Sequence, residues 1–421
     1  MIEITQKTTE RAMLVALDTR EYSKEVVEEH LAELEELANT AGAETVFKII
    51  QTKTKMDSAY YIGKGKAEEL AQLVDLNDIN IVIFDDDLSP VQVRNLENLF
   101  KRKVIDRSGL ILDIFASRAK TKEAKTQVEL AQLQYLLPRL TRAWTHLSKQ
   151  YGGIGTKGPG ETQIETDRRI IRTRISHLKE KLTQIEAQRN TQSSGRKNTT
   201  RIAIAGYTNA GKSTLFNLLT EADVFAEDKL FATLDSTTRV LDTHDTEKIL
   251  ITDTVGFIRK LPPQLVASFK STLSEVRDAD IIFHVIDVSH PFYEDHLKVV
   301  EDTLKEFGSK DKKVVRIFNK VDLIKDKSKI DFIRNAHKES ILISATRGIN
   351  ISQLKKVLNE IVEDNYIEGK ILLKLNESKK ASQIHSLAEV LKTDYDEEGI
   401  KIHYKTSKQN SEKIKKIIHS S

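Results

Sequence analysis

The sequence predicts a multidomain α/β protein, and three observations support this fold class. Short β-branched runs alternate with helix-patterned stretches in two separate parts of the chain, as in parallel sheets covered by helices. Between those parts, large apolar residues recur every three or four positions, which is the spacing of packed α-helices. The length of 421 residues corresponds to two to four domains at roughly 100–200 residues each.

The first unit, residues 1–115, is predicted to be an N-terminal α/β domain with a mostly parallel sheet. Its predicted strands are Met13–Leu17, Thr45–Ile50, Ile81–Phe84 and Val104–Ile105. Its predicted helices are Glu21–Asn39, Gly65–Leu73 and Ser89–Phe100. Three consecutive acids, Asp85, Asp86 and Asp87, follow the third strand. They predict either a solvated turn or a cation site.

Residues 116–190 are predicted to form a basic helical hairpin. The first apolar seam consists of Leu130, Leu133, Leu137, Leu140, Trp144 and Leu147, and the second of Ile171, Ile175, Leu178, Leu182 and Ile185. Two such seams pack well as antiparallel helices. Pro138 predicts a kink in the first helix or its end near Leu137. Residues 152–161, which include five glycines, are predicted to be the loop at the tip.

The hairpin carries an excess of positive charge. The whole chain has 66 Lys and Arg against 63 Asp and Glu. Residues 116–197 contain 17 basic and 7 acidic residues, so the formal net charge is +10 for this segment and −7 for the rest of the chain. The basic side chains considered for RNA phosphates are Arg139, Arg142, Lys149, Lys157, Arg168, Arg169, Arg172 and Arg174. For each one alone the alternative is a solvated helix face, whereas the whole segment favours RNA contact.

Two further units follow a polar linker at residues 191–199. Residues 200–365 contain repeated β-α units, with predicted strands at Arg201–Ala205, Ile249–Thr252, Ile281–Asp287, Val314–Asn319 and Ile341–Ser344. Residues 366–421 are predicted to be a small α+β C-terminal domain. It is expected to contain strands Ile371–Leu375 and Gly399–Tyr404 and helices Ser378–Leu391 and Glu412–Ile418.

Composition excludes several classes of protein. The chain has no Cys, which excludes disulfides, Cys-ligated zinc, iron–sulfur clusters and thiol catalysis. The histidines show no metal-ligand spacing, so core or surface roles are expected for them. The first residues lack the pattern of a signal peptide, and no run approaches ~18 apolar residues. We therefore expect a cytoplasmic protein with no membrane span.

A phosphate-binding loop follows the first strand of residues 200–365. It matches the pattern G-x-x-x-x-G-K-[ST] and consists of Gly206, Tyr207, Thr208, Asn209, Ala210, Gly211, Lys212 and Ser213. Backbone N–H groups of such a loop cradle phosphate, the lysine adds a charge and the serine hydroxyl ligates Mg²⁺. The predicted strand before the loop and the predicted helix after it provide the required context. A similar match, Gly153-x-Gly155-x-x-Gly158, joins two helices and therefore fails as a dinucleotide site.

The base is predicted from Asn319, Lys320, Val321 and Asp322 at a strand end. A carboxylate accepts hydrogen bonds from two donors of guanine, whereas adenine has no matching pair, so the site discriminates between them. This NKxD string resembles the guanine-recognition motif of the translation-factor class of P-loop GTPases. Ser344, Ala345 and Thr346 resemble the supporting base-binding loop. Asp253, Thr254, Val255 and Gly256 resemble the DxxG motif, in which the aspartate holds Mg²⁺ through water and the glycine N–H contacts the γ-phosphate.

Two further strings make the resemblance specific. They are Phe231, Ala232, Thr233, Leu234 and Asp235, and GGIGTKGPGETQIETDRR at residues 152–169. With the order of the predicted domains, they make the chain resemble the HflX family of ribosome-associated GTPases over nearly its whole length. Ser236 departs from the family, which commonly has proline there. The departure puts no ligand in doubt.

The resemblance implies function, cofactors and partners. It implies a Mg²⁺-dependent GTPase that binds the 50S ribosomal subunit and its rRNA, and that splits or rescues 70S ribosomes. Ser213 and Thr233 are the implied Mg²⁺ ligands, and GTP is the substrate. A monomer that does not bind DNA is expected. The family is also associated with ATP use by the N-terminal domain, but the sequence has no second P-loop.

The catalytic residues predicted are Lys212, Thr233 and Gly256. Many GTPases have a water-orienting glutamine after DxxG, but this chain has Phe257, so slow hydrolysis that the ribosome stimulates is expected. Asn209 resembles the asparagine that binds K⁺ in potassium-stimulated GTPases, although asparagine also suits a tight turn. Arg239 and Arg259 are interpreted as surface salt-bridge residues, with arginine fingers as the alternative.

Two other functions remain open at this point. One is a GTPase for RNA or tRNA modification or for ribosome assembly. The other is a nucleotide-gated switch that binds a protein partner.

Overall fold

The computed structural model describes residues 9–143, 159–193, 199–221, 227, 229–241, 249–268, 274–309, 312–364, 366–375, 377–396 and 399–419. The N-terminal domain alternates strands and helices, as predicted. Its elements are β1 (Glu10–Asp18), α1 (Lys24–Ala41), β2 (Ala43–Thr52), α2 (Lys64–Leu76), β3 (Ile81–Phe84), α3 (Pro90–Phe100), β4 (Lys103–Asp106) and α4 (Arg107–Arg118). The sheet is parallel, with order β2-β1-β3-β4.

Local signals set the ends of several of these helices. Ser89 and Gln92 form a reciprocal capping box at the start of α3, where Pro90 occupies the first helical position. α1 ends at Gly42, whose φ of 90° is in the left-handed region that glycine enters without steric cost.

The hairpin consists of α5 (Lys122–Ala143) and α6 (Pro159–Ser193). The predicted seams pack against each other through Leu130, Ile175 and Leu178, with Leu133, Leu137, Ile171 and Leu182 beside them. α5 continues through Pro138, so the alternative of a helix end near Leu137 is wrong. α6 includes Pro159, Gly160 and Glu161 from the predicted tip loop and Thr191–Ser193 from the predicted linker. Residues 144–158 and 194–198, with Trp144, Leu147, Lys149, Lys157 and most of the glycine segment, lie outside the described residues.

The third unit is built on a six-stranded sheet. Its elements are β5 (Thr200–Gly206), α7 (Lys212–Thr220), β6 (Thr237–Leu241), β7 (Ile249–Asp253), α8 (Pro263–Ser268), α9 (Ser274–Asp278), β8 (Ile281–Asp287), α10 (Tyr293–Glu306), β9 (Lys313–Asn319), α11 (Lys327–Ala336), β10 (Ile341–Leu342) and α12 (Ile351–Asp364). The order is β10-β9-β8-β5-β7-β6. All pairs are parallel except β6 with β7. β6, which the sequence did not predict, carries the chain back to the DxxG strand.

The C-terminal domain differs from its prediction in one element. It contains β11 (Tyr366–Leu373), α13 (Ser378–Leu387), β12 (Glu389–Asp396), β13 (Gly399–Ser407) and α14 (Lys408–His419), and its sheet is antiparallel with order β11-β13-β12. The predicted helix Ser378–Leu391 stops at Leu387. The residues after it pair with β13 instead, because strand pairing buries Val390 beside Tyr404.

The N-terminal domain and the third unit share one apolar core. Leu31 and Leu34 of α1 and Phe115 of α4 belong to the same buried cluster as Phe231 and Phe257. The rings of Phe115 and Phe231 meet edge to face at 4.6 Å. The string of residues 231–235 and the residue that follows the DxxG motif therefore pack directly on the N-terminal domain.

The described helices differ from membrane-spanning segments. In the described ranges, none of them combines the length and the apolar character that crossing a bilayer requires.

Candidate nucleotide-binding site

The phosphate loop lies between β5 and α7, at the point where the sheet order reverses. Two of its glycines have no room for a side chain. A Cβ on Gly206 would lie 2.3 Å from the carbonyl oxygen of Val285. Gly211 has a φ of 88°, and a Cβ there would lie 2.3 Å from Nδ2 of Asn319. The loop therefore keeps its backbone close to its neighbours and exposes N–H groups at the start of α7, the arrangement that binds phosphate.

Lys212 points into this loop. Its Nζ donates to the carbonyl oxygen of Tyr207 at 2.7 Å, and the residue is only 7% exposed. Burial lowers the pKa of Lys212 to about 8. A Cβ on Gly256 would lie 3.0 Å from this Nζ and 2.8 Å from Cγ2 of Thr208. Gly256 and Lys212 thus meet at the phosphate loop.

Three oxygen ligands meet beside the lysine. Ser213 Oγ donates to Oδ2 of Asp253 at 2.6 Å and lies 2.8 Å from Oγ1 of Thr233. Oδ1 of Asp253 is buried and has no hydrogen-bond partner among the described residues. Burial raises the pKa of Asp253. Hydroxyl and carboxylate oxygens are the donors that Mg²⁺ prefers, so Ser213, Thr233 and Asp253 fit a magnesium ion.

Two other threonines lie close to Thr233 in the sequence. Thr237 and Thr238 belong to β6, and Oγ1 of Thr238 lies 2.9 Å from Oγ1 of Thr252 on the neighbouring strand. Thr233 is thus the threonine of this segment that the structure brings to Ser213.

A cleft of about 440 Å³ opens above these groups. Its walls are Thr208, Asn209, Gly211, Lys212, Ser213, Thr214, Glu227, Lys229, Phe231, Ala232, Thr233, Thr254 and Gly256. Sequence reasoning missed Thr214, Glu227 and Lys229, because these residues belong to none of the motifs. Glu227 is held by Arg118, the last residue of α4, at 3.3 Å. The N-terminal domain thereby reaches the rim of the phosphate cleft.

The predicted base-recognition residues of the NKxD motif differ in burial. Asn319 is buried, and its side chain joins two loops by donating to the carbonyl of Ala210 at 2.9 Å and accepting from the N–H of Ala345 at 2.9 Å. Lys320 pairs with Asp287 at 2.8 Å. Asp322 lies exposed in the short 3₁₀ turn Val321–Leu323. Its carboxylate is therefore the group of this motif that is accessible to a base.

The third base-binding string follows β10. Ser344 and Ala345 are buried, whereas Thr346 is exposed. Ser344 Oγ accepts the N–H of Arg347 at 3.1 Å. The hydroxyl of Ser344 thus holds the turn, and the bond from Ala345 to Asn319 attaches that turn to the NKxD segment.

Several predicted nucleotide-binding residues direct their side chains into the protein. Asp235 accepts hydrogen bonds from the backbone N–H groups of Lys120 and Thr121 at 2.9 and 3.4 Å, and from the Thr121 hydroxyl at 2.5 Å. Leu234 and Val255 are buried in the shared core. Thr254 donates to the carbonyl of Ile204 at 2.7 Å. Asp235, Leu234 and Val255 thus hold the segments around Thr233 and Gly256 in place rather than line the cleft, whereas Thr254 does both.

An ionic contact joins the segment after DxxG to buried carboxylates of the N-terminal domain. Arg259 lies 3.0 Å from Glu33, and Lys260 lies 2.6 Å from Asp85. Burial opposes ionisation of Glu33, but Arg107 and Arg259 outweigh it and lower its pKa to about 2. The interpretation of Arg259 as a surface residue is therefore wrong. For the three acids after β3 we predicted either a solvated turn or a cation site. Both are wrong for Asp85, which is 2% exposed and forms ion pairs with Arg107 and Lys260.

Tyr207 takes part in the same contact. Its hydroxyl donates to Glu33 at 2.5 Å and accepts the backbone N–H of Arg259 at 3.0 Å. Arg239, by contrast, is exposed and donates to the carbonyl of Thr238 at 3.5 Å.

Phe257 closes the contact between the phosphate loop and the DxxG segment. Its backbone N–H donates to Gly206 at 3.0 Å, and its carbonyl accepts from the N–H of Thr208 at 2.7 Å. Its ring is 1% exposed and packs in the shared core. The side chain that follows DxxG thus points away from the cleft and offers no group to orient water.

Three protein-family models match consecutive parts of the chain. Residues 28–116 match the family described as "GTP-binding GTPase N-terminal", and residues 118–196 match "GTP-binding GTPase Middle Region". Residues 201–320 match "50S ribosome-binding GTPase".

Curated relatives match most of the chain. A protein named GTPase HflX from Caldanaerobacter subterraneus subsp. tengcongensis is 44% identical over 422 residues, covering 100% of this chain and 96% of that protein. GTPase HflX from Flavobacterium psychrophilum is 50% identical over 77% of this chain and 78% of its own length. GTPase HflX from Escherichia coli is 43% identical over 88% of both chains.

A solved structure is similar as well. A GTP-binding protein from Sulfolobus solfataricus in complex with GDP is 27% identical, with a TM-score of 0.46, over 85% of this chain and 99% of that one. The family models and the curated relatives establish the assignment. This chain belongs to the HflX family of GTPases, and the reaction that it catalyses is the hydrolysis of GTP.

Proposed function

We propose that this chain is a Mg²⁺-dependent GTPase that binds the 50S ribosomal subunit in its GTP form, separates or rescues 70S ribosomes, and leaves after hydrolysis. One observation carries the proposal. The segment that contains Thr233, which we expect to respond to the nucleotide, is hydrogen-bonded to the start of the hairpin. Thr233 lies beside Ser213 in the phosphate cleft. Two residues later, Asp235 accepts hydrogen bonds from Lys120 and Thr121, immediately before α5.

This attachment gives the nucleotide a route to the hairpin. A threonine in this position is ordered by Mg²⁺ and the γ-phosphate and released after hydrolysis. Leu234 is the one residue between Thr233 and Asp235, and it is buried in the core. A displacement of Thr233 therefore also moves Asp235. The first turn of α5 therefore responds to the state of the nucleotide.

The surface of the hairpin supports RNA as the ligand. Arg169 and Arg172 are exposed on α6, and such cations neutralise phosphates at the expense of bound counterions. Other members of the predicted set have partners within the protein. Arg139 bonds Asp106 at 2.6 Å, and Arg174 pairs with Glu129 at 2.7 Å. The description of the matching family, "50S ribosome-binding GTPase", favours the large subunit as the source of that RNA.

The residues we assign to nucleotide binding are those of the sequence motifs. Backbone groups of residues 206–213 and Lys212 bind the phosphates, Ser213 and Thr233 hold Mg²⁺ with Asp253 behind them, and Asp322 reads guanine. The positive charge of Mg²⁺ offsets the negative charge of the phosphate oxygens. Lys212 stabilises negative charge on the transferred phosphate, and the N–H of Gly256 contacts it.

Hydrolysis is slow in the free protein under this proposal. The buried ring of Phe257 leaves the water without a side chain to orient it, so the ribosome completes the site. Asn209 has a φ of 59°, which suits both a tight turn and the K⁺-binding role. We propose K⁺ stimulation on the resemblance of Asn209, and equal turnover in KCl and NaCl at matched ionic strength would exclude it.

The unit boundaries are proposed as 1–115, 116–190, 191–199, 200–365 and 366–421. We propose that the protein acts as a cytoplasmic monomer and does not bind DNA.

The decisive experiment is GTP turnover at fixed salt and Mg²⁺, measured alone and with purified 30S, 50S or 70S particles. Lys212→Ala controls for contaminating GTPases, because loss of its charge removes phosphate binding. We expect stimulation only by particles that contain 50S. Absence of stimulation by all three would contradict the proposal and favour a GTPase for RNA modification or assembly, or a switch for a protein partner.

A further inference from the structure

Two histidines and a glutamate converge where α1 packs on the GTPase domain. Glu29 comes from α1, His290 follows β8 and His296 lies in the first turns of α10. One ligand atom from each of the three lies within 4.8 Å of the other two. The sequence shows no metal-ligand spacing for these histidines, because the cluster joins residues about 260 positions apart that only the fold brings together.

His296 presents a nitrogen that is ready to accept a ligand. Its Nε2 is buried and has no hydrogen-bond partner within the described part of the chain. The ring is stacked on that of Tyr207, with centroids 3.8 Å apart and an interplanar angle of 4°. A buried polar atom without a partner is unfavourable, whereas coordination to a cation would satisfy it.

His290 and Glu29 already form a pair. Nε2 of His290 lies 3.2 Å from Oε1 of Glu29. Nδ1 of the same ring accepts the backbone N–H of Phe292 at 3.1 Å, which assigns the ring proton to Nε2 in the metal-free protein. Coordination through Nε2 moves this proton to Nδ1 and releases the N–H of Phe292.

The charges around the cluster favour an added cation. Four carboxylates take part in the ion pairs of this contact, Glu29, Glu33, Asp85 and Asp86, against three cations, Arg107, Arg259 and Lys260. One negative charge is left over while the histidines are neutral. Arg259 lies 3.6 Å from Oε1 of Glu29 and 3.0 Å from Glu33. Arg259 can therefore remain paired with Glu33 while the carboxylate of Glu29 binds a metal.

We propose that Glu29, His290 and His296 bind a divalent transition metal of the zinc class, which joins the N-terminal domain to the GTPase domain. Two imidazole nitrogens and one carboxylate suit Zn²⁺ or Co²⁺, whereas Mg²⁺ prefers a shell of oxygen ligands. Water completes the coordination. This site is separate from the magnesium site at Ser213, and it ties α1 to the ring of Tyr207, the residue that follows Gly206 in the phosphate loop.

The test is titration of the metal-stripped full chain with Co²⁺, followed by visible absorption, and with Zn²⁺, followed by calorimetry. Saturating GDP and excess Mg²⁺ are present throughout, so that the nucleotide site is filled. We expect one equivalent to bind and the thermal transition to move upward. Removal of a ligand should weaken binding at least about tenfold, since loss of even an outer-shell partner has an effect of that size.

The variants are chosen from both domains. His296→Ala removes the unpartnered nitrogen, and Glu29→Gln removes the carboxylate from the other domain while keeping its shape. His177→Ala, on an exposed position of α6, is the matched histidine control and should bind like the wild type. Unchanged GDP affinity in Glu29→Gln verifies folding. Absence of metal binding by the wild type, or equal affinity of all three variants, would overturn the proposal.

Discussion

Asp235 accepts a hydrogen bond from the hydroxyl of Thr121 at 2.5 Å, across 114 positions of the chain. Thr121 also starts α5, because its Oγ1 accepts the N–H of Ala124 at 3.1 Å. The carboxylate lies at the positive end of the helix, where negative charge is favourable. The switch segment and the hairpin are thus joined at one polar contact, which mutation can break without altering the phosphate cleft.

Thr121→Val should weaken the coupling between the hairpin and the nucleotide, because Asp235 then keeps only its contacts with the backbone N–H groups of Lys120 and Thr121. The change removes both hydroxyl contacts, so we expect a loss of about 1 kcal/mol in the free energy of unfolding, typical of a lost cap. Intrinsic GTP turnover should stay at the wild-type level, while stimulation by 50S particles should fall several-fold. Thr183→Val is the control, since the hydroxyl of Thr183 bonds only to Lys179 within α6. Equal stimulation of the two variants would show that the contact transmits nothing.

Asp322→Asn should change the base that the protein accepts. The amide oxygen can accept from one guanine donor, but the amide NH₂ then faces the other donor, whereas xanthine offers one donor and one acceptor. We therefore expect affinity for GTP to fall at least ~100-fold and XTP to be preferred. Competition binding with GTP, XTP and ATP measures this. Asp326→Asn, the same substitution in the exposed turn before α11, should leave selectivity unchanged. If Asp322→Asn keeps the wild-type preference for GTP, guanine is read by other groups.

Neutralising Arg169 and Arg172 should weaken binding to the large subunit and flatten its salt dependence. Each phosphate contact contributes about 0.7–0.9 to the slope of log K against log salt, so the double Gln variant should lose up to about 2 from that slope. Lys24→Gln with Lys64→Gln removes the same charge from exposed positions on α1 and α2. Sedimentation with 50S particles over a salt series compares the two. A parallel loss in both variants would show that total charge, rather than the hairpin, decides binding.

Lys212 makes GTP binding dependent on pH. Burial holds its pKa near 8 in the nucleotide-free protein, and bound phosphate favours the charged form. Below pH 8 the lysine is already charged, and above it each binding event takes up a proton. The association constant for GTP should therefore fall by up to tenfold per pH unit between about pH 8 and 10. Calorimetry in buffers of different ionisation enthalpy measures the uptake, and a constant enthalpy across those buffers at pH 9 would contradict it.

Local patterns predicted the phosphate site well for a physical reason. The fold of residues 206–213 depends on glycines that nothing larger can replace, and those glycines are visible in the sequence. Strand ends such as Asp253 and Asn319 follow from runs of buried residues. The same reasoning placed the seams of α5 and α6, because their three- and four-residue spacing is a property of one helix.

Contacts between distant segments were not predictable in this way. β12 was not predicted, and its first three residues were included in the predicted helix Ser378–Leu391. Its pairing with β13 depends on the segment that follows it rather than on its own pattern. Arg259 was assigned to the surface because its partner Glu33 is 226 positions away. Of the kink and the helix end that Pro138 predicted, the helix end is wrong, because α5 continues to Ala143. For β12 and Arg259 the environment that decided the outcome comes from another element.

The shared core around Phe115 and Phe231 makes the N-terminal domain and the GTPase domain one thermodynamic unit. Their apolar side chains belong to a single buried cluster, with Phe257 among them. A GTPase domain produced alone would expose its part of this apolar cluster to solvent, and an exposed apolar patch favours aggregation. The two domains should therefore melt in one calorimetric transition.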